Sequence, residues 1–448
     1  MKIALSIAGS DSGAGAGIQA DLKTFSALGV YGCTAITAIT AQNTKQVAEI
    51  FEISPSMVEQ QIRSIMIDMR PNAIKIGMVY SSPIIHAIYR SLKKTTKIPI
   101  VLDPILTAGT GAKLLRREAY KSFVSKLIPL STLITPNKME AEKLADIVIK
   151  TENDIIEAAK KINKLGVKNV VVKGGHFGSE HVIDLLLDSK GNIMKFTNPR
   201  LKIKEVHGSG CNFSSAVTAY LAEGMALAQA CKMANEYVHN AVKNAVNLGR
   251  GLPIANPPSV MYRDANRYHV LAELQDAAEE VSILDGFYRL IPETQTNFAY
   301  ALLNAAEVSD VAAVRGRIIR IENTAVPASY IKFGVSTHVA SAVIAYMSVN
   351  PDFRSAINIR FDKRIVDVCK SLFSVASYDR TKEPKKIKRK EGSTVAWGIL
   401  AALSKNPIAE VIYHTGDVGK EPMICLFGRN PREVVNKIKA ILENYSVV

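Results

Sequence analysis

Along the first 250 residues, short β-branched apolar runs alternate with stretches where apolar side chains recur every three or four positions. Ile3–Ala8, Ala73–Gly77, Ile98–Leu102, Leu133–Thr135, Asn169–Val172 and Val182–Leu187 read as strands, and Ser56–Met69 and Asp154–Leu165 as amphipathic helices. Such alternation predicts an α/β unit: a mostly parallel sheet with helices on both faces. In open sheets of this kind ligands gather beyond the carboxyl ends of the strands. The polar words Gly9-Ser10-Asp11, Gly77-Met78, Asp103-Pro104, Pro136-Asn137 and Lys173-Gly174-Gly175 each follow a strand, so they are expected at one rim.

The pattern breaks at Gly249-Arg250-Gly251-Leu252-Pro253 and again at Asn256-Pro257-Pro258, a cluster that punctuates rather than continues an element. This predicts a first domain over 1–255, a linker over 256–268 and a second domain over 269–448. A helical pattern opens the second near Tyr268, and mixed α and β periodicity follows. No internal repeat is visible.

Composition narrows the partners. Apolar residues make up 48% and charged residues 22%, which fits packed domains and excludes extensive disorder. The net charge of +15 suits either nucleic acid or an enzyme handling several phosphates. The one dense basic run, Lys382 to Lys390, carries no interleaved aromatics and reads as a solvated loop, so no nucleic-acid partner is expected. Five scattered cysteines without C-x-x-C spacing point to reduced thiols and away from zinc. No apolar stretch approaches the roughly 18 residues a membrane span needs, and Met1–Leu5 turns polar too soon for a signal peptide. A cytoplasmic protein without a membrane partner is expected, and a homo-oligomer.

The chemistry concentrates in His207-Gly208-Ser209-Gly210-Cys211-Asn212-Phe213, a loop running into an alanine- and serine-rich helix. The amides of Gly208, Ser209 and Gly210 suit an anion at a helix start. A phosphoryl-transfer site would ordinarily carry a base at the loop's exit, and here the side chain is the thiol of Cys211. A second glycine-rich turn, Gly9 to Gly17, joins a strand to a helix, but no G-x-x-x-x-G-K-[ST] phosphate loop occurs.

Seven words in order, GSDSGAGAGIQADLKTF, TAQNT, KIGM, DP, TPNKMEAE, VVKGGH and HGSGCNFSSA, span residues 1 to about 250. They closely resemble the hydroxymethylpyrimidine/phosphomethylpyrimidine kinases of the ribokinase-like superfamily. The resemblance implies ATP as phosphoryl donor and Mg²⁺ at Asp103 and Glu140. It implies pyrimidine contacts at Asp21 and Gln42, which can read a donor–acceptor edge, and Met78 against the ring face. Lys173 matches the family's phosphate-side lysine, and Cys211 stands where sugar kinases of the superfamily place Asp. At a helix N-terminus the Cys211 pKa is expected to fall, giving a thiolate that takes the substrate hydroxyl proton. Ser209 and Asn212 depart from the usual Thr at both places. A pyridoxal-type kinase is the alternative.

From about residue 270 the arginines, lysine and histidine near glycines and element ends read as an anion site or as scattered surface charge. The stretch 270–445 resembles the archaeal-type thiamine-phosphate synthase domain. That implies coupling of the pyrimidine diphosphate to a thiazole phosphate with loss of pyrophosphate. Arg317 and His338 would be the catalytic pair, with Arg354, Asn358 and Lys420 binding phosphate. Domains of this type also occur as ligand sensors, so a regulatory thiamine phosphate-binding domain is the alternative.

Overall fold

The computed structural model describes all residues except 96, 110, 175–179, 204, 385–392, 418 and 446–448, and the side chain of Ser393. Most of the basic run 382–390, and Gly175, lie outside the described residues. The chain divides into two compact units, Met1–Tyr262 and Arg263–Val448.

The first unit is built on β1 (Ile3–Asp11), β2 (Tyr31–Gln42), β3 (Val47–Glu52), β4 (Ala73–Ile76), β5 (Ile100–Leu102), β6 (Leu133–Ile134), β7 (Asn169–Val172), β8 (His181–Leu187) and β9 (Ile193–Pro199). Their order across the sheet is β3-β2-β1-β4-β5-β6-β7-β8-β9. Strands β1, β2, β4, β5, β6 and β7 run parallel, while β3, β8 and β9 are antiparallel to their neighbours.

The strand period of two sorts side chains between two helical layers. Ile100, Leu102, Ile134, Val170 and Val172 pack on one face against the helices Pro55–Asp68, Ser82–Leu92 and Glu152–Asn163. Their neighbours Val101, Leu133 and Val171 face the helices Ser209–Ala222 and Leu227–Lys243 on the other. Strands β2, β3 and β9 carry no clean apolar run: Ile39 and Phe51 are exposed, and β9 alternates exposed and half-buried positions. These three strands were not predicted from the pattern.

In the second unit a seven-stranded sheet has the order β14-β11-β10-β15-β18-β17-β16. The strands are β10 (Phe298–Ala301), β11 (Val311–Val314), β14 (Ile331–Phe333), β15 (Ser355–Arg360), β16 (Val375–Ser377), β17 (Val411–His414) and β18 (Met423–Gly428). All pairs are antiparallel except β16 with β17. A separate ribbon pairs β12 (Ile318–Ile321) with β13 (Thr324–Pro327). Helices cover both faces, Ser259–Ile283, Lys363–Leu372 and Pro431–Tyr445 on one, His338–Met347 and Ser393–Leu403 on the other. Residues 259–268, within the expected linker, form the first turns of Ser259–Ile283. Among the described residues no helix is long and apolar enough to cross a membrane.

Candidate active site

The carboxyl ends of β1 and β4 to β7 bring the expected polar words together. Asp103, just beyond β5, is buried, and its Oδ1 accepts from Lys173 Nζ at 3.0 Å and from Thr135 Oγ1 at 3.4 Å. Its Oδ2 accepts from Ser214 Oγ at 3.2 Å, tying it to the helix that follows the Gly208–Gly210 loop. Lys173 leaves β7 beside Asn137. Burial alone would lower its pKa, but Asp103 and Glu140 raise it above the usual value, so it stays an ammonium.

Glu140 has two jobs in one place. It closes a capping box with Asn137: Asn137 N donates to Glu140 Oε2 at 2.8 Å, and Glu140 N donates to Asn137 Oδ1 at 2.9 Å. Burial pushes its carboxyl up to about 7, with Asp103 adding to the rise and Lys173 opposing it. Among the described residues no cluster of three or more His, Cys, Asp or Glu side chains forms a metal cage. Two neighbouring carboxylates suit an ion that keeps several waters and phosphate oxygens.

The loop before the helix Ser209–Ala222 has the expected shape. Gly208 caps it at φ +85°, where only glycine sits without strain, and a Cβ there would collide with the Gly15 carbonyl oxygen. The two glycine-rich loops thus touch backbone to backbone. Ser209 and Gly210 open the helix, and Gly210 leaves space for Lys173 Nζ, 3.1 Å from where its Cβ would be.

Cys211 is buried in the same first turn, and here one expectation is corrected. Burial pushes its thiol up to about 11, and Asp103 and Asp21 add to the rise. Lys75 and the Gly17 amide pull it down, but not far enough. The resting group at neutral pH is a thiol, not a thiolate: desolvation outweighs the Lys75 charge and the Gly17 amide.

Asp21 is also corrected. It is wholly buried, and its carboxylate is taken up by Lys75 Nζ at 2.7 and 2.8 Å, Ser215 Oγ at 2.6 Å and Ser6 Oγ at 2.5 Å. Four hydrogen bonds from three donors leave no face for a pyrimidine; Asp21 is the counter-ion of Lys75. Lys75 was missed, although the signal was present as a lone lysine in an otherwise apolar strand, Ala73-Ile74-Lys75-Ile76.

Gln42 and Met78 lie on the same rim. Met78 is buried with Ala38 and Leu114, and its Sδ lies 2.8 Å from where a Cβ on Gly9 would be. Gln42 reaches His207 Nε2 through its amide at 3.1 Å. Asp11 closes the first glycine-rich turn by accepting from the amides of Gly13, Gly15 and Ala16 at 2.8, 3.1 and 2.8 Å. Asp11 and His207 were quoted in the sequence words without a role.

The second unit's candidates do not form one cluster. Arg317 follows β11 at a left-handed position, φ +73°, and its Nη1 donates to the Thr294 carbonyl oxygen. Glu421 accepts from Glu293 N, Thr294 N and Thr294 Oγ1, so Lys420 lies at this same end of the sheet. Asn358 is buried there, accepting from Asn297 N at 2.7 Å and donating to the Gln295 carbonyl at 3.1 Å. It holds the Gln295–Asn297 turn and is corrected from phosphate ligand to structural clamp.

His338 starts its helix four residues after Gly334, whose N–H donates to Val311 at the opposite end of β11. Arg354 is at that end too, donating to the Ala301 carbonyl at 3.1 Å and Tyr300 Oη at 2.6 Å. Arg317 and His338 therefore sit at opposite ends of one sheet.

The phosphomethylpyrimidine kinase family model matches residues 11–256, and the thiamine-phosphate synthase ThiN model residues 273–440. The bifunctional thiamine biosynthesis protein ThiDN of Methanocaldococcus jannaschii is 31% identical over 448 residues, all of both chains. The thiamine biosynthesis bifunctional protein ThiED of Geobacter sulfurreducens is 42% identical over 247 residues, 55% of this chain, which spans only half of that protein's length. An ADP complex of Bacillus subtilis pyridoxal kinase is 35% identical at a TM-score of 0.55, covering 58% of this chain and 99% of its own. The chain belongs to the phosphomethylpyrimidine kinase family, with a thiamine-phosphate synthase ThiN domain following the kinase.

Proposed function

We propose that the first unit phosphorylates 4-amino-5-hydroxymethyl-2-methylpyrimidine and then its monophosphate with ATP, and that the second couples the diphosphate to a thiazole phosphate, releasing pyrophosphate. The observation that carries the kinase reading is the buried Asp103–Lys173–Glu140 cluster against the helix start that bears Cys211. Lys173 and the amides of Ser209 and Gly210 stabilise charge developing on the transferred phosphoryl group. Asp103 and Glu140 fit Mg²⁺, which when bound neutralises phosphate charge. Met78 supplies an apolar wall and Gln42 an amide edge for the ring.

Glu140 gives this reading a pH signature. Its carboxyl is raised from 4.5 to about 7, so it holds its proton below that pH and loses it above. In the nucleotide-loaded enzyme, Mg²⁺ affinity is expected to rise roughly tenfold as pH goes from 6 to 8, because the ion displaces that proton. Glu140→Gln should bind Mg²⁺ more weakly and without that slope; an unchanged slope in the variant would remove Glu140 from the ion's coordination.

The pyridoxal kinase likeness keeps a pyridine alcohol as a second substrate reading. For the second unit, the match to the thiamine-phosphate synthase ThiN model supports synthesis, and a domain that binds thiamine phosphate without making it is the alternative. Incubating the full chain with hydroxymethylpyrimidine, ATP, Mg²⁺ and thiazole phosphate tests all of this. Thiamine phosphate and pyrophosphate are expected. Accumulation of pyrimidine diphosphate alone would support the binding-only reading, and turnover of pyridoxal alone the pyridine reading.

A further inference from the structure

His207 Nε2 lies 3.1 Å from the Gln42 amide and 3.3 Å from Asp11 Oδ2. Burial opposes ionisation of Asp11, yet His207 and the Ala16 and Gly13 amides hold its carboxyl below the usual range. Asp11 is therefore an anion and can only accept. The ring nitrogen facing it must carry a proton, and a protonated Nε2 cannot accept from Gln42. The Gln42 atom at 3.1 Å is then its carbonyl oxygen, which shares the N–H with Asp11.

The other end of the amide meets Thr40 Oγ1 at 3.3 Å. Thr40 gives its own proton to the Ser10 carbonyl at 3.0 Å and is free to accept from the Gln42 NH₂. Reversing the amide turns the Nε2 lone pair on a carboxylate and leaves Thr40 one proton for two acceptors. Only the first arrangement leaves no lone pair facing another acceptor. The imidazole is itself held: His207 N donates to the Pro253 carbonyl at 2.8 Å, its carbonyl accepts from Ala255 N at 3.1 Å, and its ring fills the space a Cβ on Gly15 would occupy.

We infer that His207, backed by Asp11, is the positioning residue that locks the Gln42 amide in one orientation and so sets the donor–acceptor order read on the substrate ring. This rests on Gln42 contacting the pyrimidine, as proposed above. A locked amide rejects an edge with donor and acceptor exchanged, whereas a free one turns about its last, roughly two-fold torsion and reads either. A 4-aminopyrimidine presents an N–H donor beside a ring-nitrogen acceptor. Its 4-oxo analogue presents the reverse, a carbonyl beside a ring N–H.

The test compares kcat/KM for the 4-amino and 4-oxo alcohols in the full chain. The unsubstituted protein is expected to prefer the amino compound by about 10-fold or more, the usual penalty for an unpaired buried polar group. In His207→Phe, which keeps a flat ring but no donor, the preference should fall to about 3-fold or less. His207→Gln, whose amide N–H can again reach Asp11 and Gln42, should restore it. A preference that survives in His207→Phe, or one lost equally in Phe and Gln variants, overturns the inference. His207→Leu replaces the Phe variant should that chain fail to fold. Failure of the unsubstituted chain to phosphorylate either pyrimidine instead refutes the kinase reading itself.

Discussion

Lys75→Met is expected to destabilise the first unit by about 3–5 kcal/mol, the cost of leaving one partner of a buried ion pair uncompensated. Both side chains are completely shielded from solvent, and the ammonium lies 2.7 Å from Asp21. Burial lowers the ammonium's pKa, but Asp21, Cys211 and Asp103 more than reverse that, so the cation persists. Without it the Asp21 carboxylate keeps only the hydroxyls of Ser6 and Ser215. A loss of that size is a large share of the roughly 5–15 kcal/mol that holds a typical domain together. Asp21→Asn should cost a similar amount by stranding the ammonium. The double variant Lys75→Met/Asp21→Leu should recover most of it, since apolar groups of similar volume often replace a buried pair at little cost. Urea unfolding followed by far-UV circular dichroism measures the shift. The single tryptophan, Trp397, lies in the second unit, so its fluorescence follows the other transition. An unmoved far-UV midpoint in Lys75→Met would mean the pair carries no weight in the fold.

The same pair explains what sequence could and could not reveal. The central strands β1 and β4 to β7 were legible because both faces are covered, which forces continuous apolar runs such as Asn169-Val170-Val171-Val172. Strands β2 and β9 were not, because an edge or one-sided strand alternates with polar residues and blurs into its loops. The rim was legible too: a parallel sheet brings every strand's carboxyl end to one side, which is why Asp103, Lys173 and Glu140 converge despite their separation along the chain. Which partner each side chain takes was not. Asp21 pairs with Lys75, 54 positions away, and only the packing of the helix Gly17–Ala27 on β1, with β4 paired beside it, brings them together. In the second unit, sequence order placed Arg317 and His338 close, but the reversal of β14 against β11 sends them to opposite ends.

Cys211→Ala is expected to lower kcat for the pyrimidine alcohol by about 10²–10⁴-fold with little change in KM, the span that loss of a proton-accepting group produces. The resting thiol is pushed up to about 11, so only a small fraction is ionised at pH 7. Below that value the thiolate fraction grows about tenfold for each pH unit, and if it receives the hydroxyl proton the chemical step should rise with the same slope from pH 7 to 10. Single-turnover rates isolate that step from product release. Cys211→Ala should flatten the profile, because no group of that pKa remains beside the reacting hydroxyl. Cys211→Asp makes the comparison sharper by installing the side chain that sugar kinases of this superfamily carry there. If its carboxylate is ionised at neutral pH, the rate should become nearly independent of pH above 7, although its charge beside Asp103 and Asp21 works against ionisation. A steep profile that survives in Cys211→Ala would assign the proton transfer elsewhere, leaving Cys211 as a small buried side chain whose thiol lets the helix start pack against Gly17. The raised thiol and the lysine beneath it form one electrostatic unit: removing Lys75 takes away the cation that pulls Cys211 down. In any Lys75 variant that still folds, the rise in rate should therefore shift to higher pH, which links the stability of the buried pair to the chemistry above it.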